Sequence, residues 1–360
     1  MRTLTRYLGR EVLGATLIVF FALLMLFAFF DVINELRDVG KESYSIGTAL
    51  LYVVLHLPAR AYELFPVSAL IGTLFAISQL VGNSEYTVMR VSGTSLYQVG
   101  WAVIRIGIPL AITTFLAGEF VAPPAERLAQ TLRAASRGDV SSVVAQQFDS
   151  GFWFKENLTF VNVRSVLADL SLVGVRIYEF DDDFRLSRIR HADSGRFLQT
   201  GRWQLVNVRT TDLEGDSARM SLAVDSTWET VLRPSILTVY QVSPERLELA
   251  TLYDNIKVLS NNSQKTSRFE IAFYSKLLYP LTILVMMVLA LPFAHFQRRS
   301  GGVGVRIFTG TMLGLAFFLL GRLFSNLGVL NDWPPLFSAA FPLVAFTLLG
   351  ITLLWWIERR

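Results

Sequence analysis

Few residues in this chain could do covalent chemistry. It has no cysteine, and its three histidines, His56, His191 and His295, are scattered. Without cysteine there is no disulfide, zinc-thiolate or thiol nucleophile. No HExxH-type spacing gathers the histidines around a metal. No GxSxG elbow presents a serine. No Walker A loop, with its terminal Lys-Ser/Thr, is present to hold nucleotide phosphates. The glycine cluster SGGVGVRIFTGTMLG lacks that ending and reads as a polar turn followed by a small-residue helix face. What remains is ionic chemistry, carried by charges at the edges of long apolar runs.

Two groups of such charges stand out. The first is NSEYTVMRVSG, Asn83 to Gly93, between two apolar segments. Asn83 or Ser84 suits a helix cap, Glu85 a first turn and Gly93 a stop. Val88 and Met89 give the piece a small apolar patch. Glu85 has no base on its own helix, because Arg90 is five residues on and off the i,i+4 ladder. Taken alone, the stretch is either a turn with solvated charges or a short amphipathic helix that docks on a partner. The second group lies at the opposite ends of the apolar runs: Asp31, Glu35, Arg37, Asp38, Lys41, Arg60, Glu63, Glu119, Arg127, Arg133, Arg137, Lys276 and Arg322. Singly, each reads as an interfacial side chain or a local ion pair. Collectively, the basic members would suit an anionic ligand such as phosphate. Glu119 and Arg322 are the most unusual, since they lie within apolar runs.

The elements that must position these charges are membrane spans. The 360 residues are 52% hydrophobic and 17% charged, against roughly a quarter charged in soluble domains. About six segments meet the length of roughly 20 apolar residues that a span requires: near 12–33, 50–81, 97–122, 270–296, 304–329 and 335–357. The run Val12 to Phe30 exceeds the roughly 7–15 residues of a signal-peptide core and reads as an uncleaved first span. Pro58, Pro66 and Pro109 fall inside spans, where neighbouring helices can satisfy the freed carbonyls. Arg2, Arg6, Arg10, Arg90, Arg298, Arg299, Arg306, Arg359 and Arg360 all fall on one side of a six-span arrangement. The positive-inside rule therefore predicts cytoplasmic termini and a central segment in the opposite compartment.

That central segment begins helically with PAERLAQTLRAASRG and then changes to a period of two in LTFVNVRSV, LVGVRIYEF, GRWQLVNVRTTDL and ARMSLAVDSTWETVL. Breaks such as DDD and EGD separate these runs, an antiparallel sandwich or jelly-roll pattern. Some of Val161, Val163, Val175, Ile177, Leu205, Leu222 and Val224 are expected to line its apolar interior. The plan is an α-helical transmembrane bundle, three spans on each side of an inserted β domain. It divides into residues 1–122 with the short helix near 84–92, residues 123–268, and residues 269–360. No internal repeat accompanies the symmetry.

Against this plan, NSEYTVMRVSG resembles the S-E-x-x-V-M-x-x-S-G signature of the LptF/LptG lipopolysaccharide export permeases. RYLGRE, LFPVSALIGTLFA, GEFVAP, YSKLLYPL and GVRIFTG fit the same family in order. ELRDVGKESYS, PARAYELFPVSALIG and GEFVAP lie nearer its LptG branch. The resemblance covers essentially the whole chain and implies six spans around a periplasmic β-jellyroll in a bacterial inner membrane. It implies a non-catalytic subunit without cofactor, assembled with LptF, two copies of the LptB ATPase and LptC, that extracts lipopolysaccharide and passes it to a periplasmic bridge. It places Glu85 at the family's coupling-helix acid, with Val88, Met89 and Arg90 beside it. It places Arg37, Arg60 and Arg133 at basic positions that resemble lipid-phosphate contacts. Asp31 and Asp38 stand where some relatives have Lys, and Arg127, Arg137 and Lys41 are the cations that could compensate. Nothing points to a nucleic acid. The rival classes are a mechanotransmission permease, whose usual four spans the 3+3 plan opposes, and a lipid-modifying enzyme, which would need catalytic acids or histidines clustered at one membrane face.

Overall fold

The computed structural model describes residues 2–40, 44–136, 152–167, 171–198, 202–214, 217–230, 232, 244–261, 264–296 and 303–359. Among these, six helical stretches are long and apolar enough to cross a membrane. The first half comprises α1 (Arg2–Leu36), α2 (Ile46–Gly82), the short α3 (Glu85–Val91) and α4 (Leu96–Leu116). A π-helical turn, Ala117–Val121, leads from α4 into α5 (Ala122–Ser136). The second half comprises α6 (Leu249–Asn261), α7 (Ser267–Phe296), α8 (Val303–Leu330) and α9 (Pro335–Arg359).

α2 is the hub. It packs on α1, α5, α7 and α8, and Ala69, Leu70, Leu74 and Ile77 are almost fully buried. Close approach depends on small residues, as expected where helices gain nothing from expelling water. A Cβ on Gly72 would collide with the backbone of Thr16 on α1, and one on Gly118 with the ring of Tyr62. The outward faces of α1 and α8 are apolar and exposed, with Ile18, Met25 and Phe29 on one and Phe308, Phe318 and Leu319 on the other.

Between α5 and α6 lies one antiparallel sheet, β1 (Phe152–Glu156), β2 (Thr159–Val166), β3 (Leu172–Phe180), β4 (Leu186–Leu198), β5 (Arg202–Glu214) and β6 (Ser217–Glu229), with neighbours in sequence order. Its buried face holds Val161, Val163, Val175, Ile177, Trp203 and Leu205, each fully enclosed. Leu222 and Val224 do not join them: they are 72% and 76% exposed. Strict alternation back from the buried Trp228 would have turned both inward. Instead the buried set steps by three residues on successive strands, Leu172 to Val175, Ala192 to Gly195 and Leu205 to Val208. The strand register is unbroken there, while Gly174 and Asn207 take left-handed φ of 65° and 54°. The sheet is therefore creased along one line, and the crease shifts the phase of every strand it crosses. Leu222 is the register partner of Arg209 on the exposed face.

Among the described residues, side-chain hydrogen bonds tie the sheet to its surroundings. Trp203 Nε1 donates to the Leu232 carbonyl at 2.7 Å, and Gln264 Nε2, just before α7, donates to the Lys155 carbonyl at 2.9 Å.

Candidate functional site

At the end of the bundle away from the sheet, the chain must turn from α2 into α4, and it inserts α3 to do so. Ser84 occupies the N-cap position with a left-handed φ of 63° and no side-chain cap bond. Gly93, at φ 89°, closes the other end, and a Ser95–Gln98 capping box starts α4. Tyr86 is buried under α3. Burial raises its hydroxyl above the ordinary value, and the adjacent Arg90 opposes that rise.

Two side-chain contacts hold α3 from either side. Tyr7 Oη on α1 donates to Glu85 Oε2 at 2.8 Å, and Arg90 Nη1 donates to Glu358 Oε2 on α9 at 3.1 Å. The residues thus fixed leave a bare apolar edge: Val88 is 65% and Val91 85% exposed, while Met89 is half-buried. The site so built is a rigidly mounted, seven-residue helix with one carboxylate and two uncovered valines, outside the apolar spans.

At the sheet end, the charges form chains of ion pairs. Arg60 holds Asp31 through two bonds of 2.9 Å and Glu63 through one of 3.2 Å. Arg246, in a 3₁₀ turn after the sheet, meets Glu63 at 3.6 Å and Glu126 at 2.8 Å. Glu126 also takes His56 Nδ1 at 2.6 Å. Arg133 lies over the Tyr52 ring and bonds Glu35 at 3.0 Å, and Arg127 meets Glu248 at 3.1 Å. The π-helical turn aims Glu119 at Lys276, 2.6 Å away and buried. Glu119 also accepts from the Leu249 backbone at the start of α6. Among the described residues, Arg37 and Arg322 are exposed cations with no side-chain partner.

The chain matches the family described as lipopolysaccharide export system permease LptF/LptG over residues 6–356. It belongs to that family. It is 32% identical to the lipopolysaccharide export system permease protein LptG of Haemophilus influenzae, over all of this chain and 99% of that one. It is 33% identical to the LptG protein of Escherichia coli, over 98% of this chain and 97% of that one. The LptF protein of Escherichia coli is more distant, 23% identical over 88% of this chain and 84% of that one.

Within this lipopolysaccharide export permease frame, the structure gathers Glu85, Val88, Met89 and Arg90 on one short helix. It separates them from Arg37, Arg60 and Arg133, which lie at the sheet end. Arg137 and Lys41 fall outside the described residues. Sequence reasoning missed Val91, the most exposed side chain of α3, although its apolar type next to the Gly93 stop was a usable signal. It also missed Tyr7 and Glu358, which meet α3 across 78 and 268 residues of chain. No local spacing rule could have found those two.

Proposed function

We propose that this chain is the transmembrane permease subunit through which lipopolysaccharide leaves the bacterial inner membrane, with ATP hydrolysis supplied by a separate LptB-type subunit docked on α3. Its termini and α3 face the cytoplasm, and its sheet faces the periplasm. A second permease chain of the LptF type, two ATPase copies and LptC complete the assembly.

One observation carries the reading: the exposure of Val88 and Val91 beside the Glu85 carboxylate, on a helix held fast by α1 and α9. Burying a valine contributes about 1.5 kcal/mol or more, so a groove that covers both gains useful affinity. Glu85 accepts one bond from Tyr7, but a carboxylate has about four acceptor sites. It therefore keeps capacity for an Arg or Lys on the ATPase. Because α3 is bonded to α1 and α9, displacement of the docked subunit is passed to both helices.

On the membrane side, the apolar faces of α1 and α8 accommodate acyl chains, so extraction exchanges one apolar environment for another. Arg37 is the first candidate for a lipid phosphate, since its guanidinium is exposed and unpaired among the described residues. Arg60 and Arg133 would serve only by giving up Asp31 or Glu35, and Arg137 remains a further candidate.

The test is co-purification. Val91→Asp and Glu85→Lys should each release the ATPase subunit while lipopolysaccharide still co-purifies with the permease chains. Normal assembly and normal export in both variants would overturn the docking role of α3.

A further inference from the structure

The exposed face of the sheet holds a group of charges that neither docking nor extraction uses. Among the described residues, several arginines of the sheet are paired with acids, while Arg196 and Arg219 have no acid within ion-pair distance. Arg188 is held by Asp212 at 2.5 Å, Arg190 by Glu179, and Arg202 by Glu229 at 2.8 Å. Arg164, Arg176 and Arg209 are different. All three are exposed, and none has a carboxylate within ion-pair distance among the described residues.

Their positions are set by the register. Arg176, His191 and Arg209 are partners on β3, β4 and β5, so they stand in one row on one face, on strands about 4.8 Å apart. Arg164 reaches the row from β2 by crossing the backbone of Gly174, where a Cβ would meet the Arg164 side chain at 2.9 Å. The left-handed glycine at the crease thus makes room for the third guanidinium. Arg209 Nη2 lies 3.4 Å from His191 Nδ1. Burial first, then Arg209 and Arg176, lower the His191 pKa below its ordinary value, and Arg164 adds to this while Asp193 opposes it. These groups therefore feel one another. Asp193, bonded by Asn207 at 3.2 Å, borders the row.

Aromatic rings extend the same row. Trp153 is the register partner of Asn162, and Asn162 of Arg176. Trp153 is half exposed and stacks on Tyr178, with ring centroids 5.9 Å apart and an interplanar angle of 18°. Three like charges in one row repel, and a nearby acid would relieve them as it does for Arg188 or Arg202. Guanidiniums match phosphate in geometry, and an exposed indole offers a flat apolar plate to a sugar ring.

We propose that this row is a binding site for a phosphorylated sugar chain, with phosphate taken by Arg164, Arg176 and Arg209 and a pyranose ring laid on the Trp153–Tyr178 stack. The proposal rests on the export reading only for the source of the sugar, which is then the saccharide portion of the exported lipopolysaccharide. Its place on the sheet's exposed face, apart from the enclosed core of Val161, Ile177 and Leu205, lets the sugar travel outside the sheet.

The test uses the full permease complex in detergent. The probe is a phosphorylated core oligosaccharide stripped of acyl chains, compared with the same oligosaccharide after dephosphorylation. Titration should show saturable, salt-sensitive binding of the phosphorylated probe and at least about tenfold weaker binding of the dephosphorylated one, the scale of one lost charge-assisted contact. Arg176→Ala with Arg209→Ala should weaken the phosphorylated probe by a similar factor, as should Trp153→Ala. Arg202→Ala, which breaks an existing ion pair on the same sheet, should leave binding unchanged. Inorganic phosphate should compete with the probe at the arginines, and this competition should persist in Trp153→Ala. Equal binding by the wild type and the double arginine variant overturns the proposal, as does equal binding of both probes. Cross-linking from Trp153 that recovers an acidic protein in place of saccharide also overturns it. If the oligosaccharide binds as described but the complex releases no lipopolysaccharide under ATP turnover, the sugar site stands and the export reading fails.

Discussion

His191 shows how a single side chain reports its neighbours. Partial burial and the adjacent Arg209 and Arg176 disfavour its charged form, so its folded pKa lies below the ordinary 6.5. The unfolded chain, lacking those neighbours, takes up a proton as pH falls through about 6.5, while the folded sheet does not until a lower pH. Over that window the unfolded state binds more protons, and stability falls with falling pH. His191→Gln removes the proton uptake from both states. Its sheet should therefore lose less stability than the wild type as pH drops from 7 towards the folded pKa of the imidazole. Hydrogen exchange of the β3–β5 amides across that range measures this. Identical pH slopes for the two proteins would show that His191 is not held neutral by its surroundings. At the sheet end the same scale reads differently. There Arg60 and Arg133 find acids within the chain, whereas Arg37 is exposed with no side-chain partner among the described residues.

At the scale of elements, packing of the bundle depends on where glycine stands. Gly72 lets α1 lie directly on α2 at Thr16, whereas Gly14 on α1 faces open space. Overpacking at such a contact typically costs about 1–3 kcal/mol. Gly72→Val should lower the thermal midpoint of the detergent-solubilised complex by several degrees, and Gly14→Ala should leave it nearly unchanged. Equal midpoints would mean that α1 and α2 separate easily at that contact. Much of this level was legible in the sequence. The apolar runs announced the spans because a bilayer demands length and apolarity together. The short helix announced itself through Glu85, a glycine stop and its place between two spans. The crease of the sheet was hidden, because a phase shift shared by several strands leaves each local pattern looking like ordinary alternation. That is why Leu222 and Val224, two of the candidates for the apolar interior, are exposed instead. The pairings of Tyr7 with Glu85 and of Arg90 with Glu358 were hidden for another reason: they exist only once distant helices have packed.

At the scale of the whole molecule, the contacts themselves sort the two ends. Tyr7 near the start of α1 meets Glu85 of α3, and Glu358 near the end of α9 meets Arg90 of α3, so the start of α1 and the end of α9 lie at the α3 end of the bundle. Asp31 and Arg60, Lys276 and Glu119, and Lys265 and Asp332 pair at the other end, where the sheet is attached. The α3 end carries Arg6, Arg10, Arg90 and Arg359 in short segments, and Arg359 lies over the Trp355 ring with its guanidinium carbon 3.7 Å from the centroid. Basic residues in short loops resist translocation, whereas a large domain crosses largely regardless of its arginines. By that rule the short segments at the α3 end, and not the arginine-rich sheet, are expected to set the orientation. A phosphatase reporter, active only outside the cytoplasm, should be active when inserted in the exposed turn at Asp182 and silent when fused after Arg360. A fluorescent reporter that matures only in the cytoplasm should give the opposite pattern. Activity of the phosphatase at both positions would require an even number of crossings between them, in conflict with the three spans α7, α8 and α9. Inversion of both signals would keep the bundle but reverse it in the membrane, and would put α3 out of reach of any cytoplasmic ATPase.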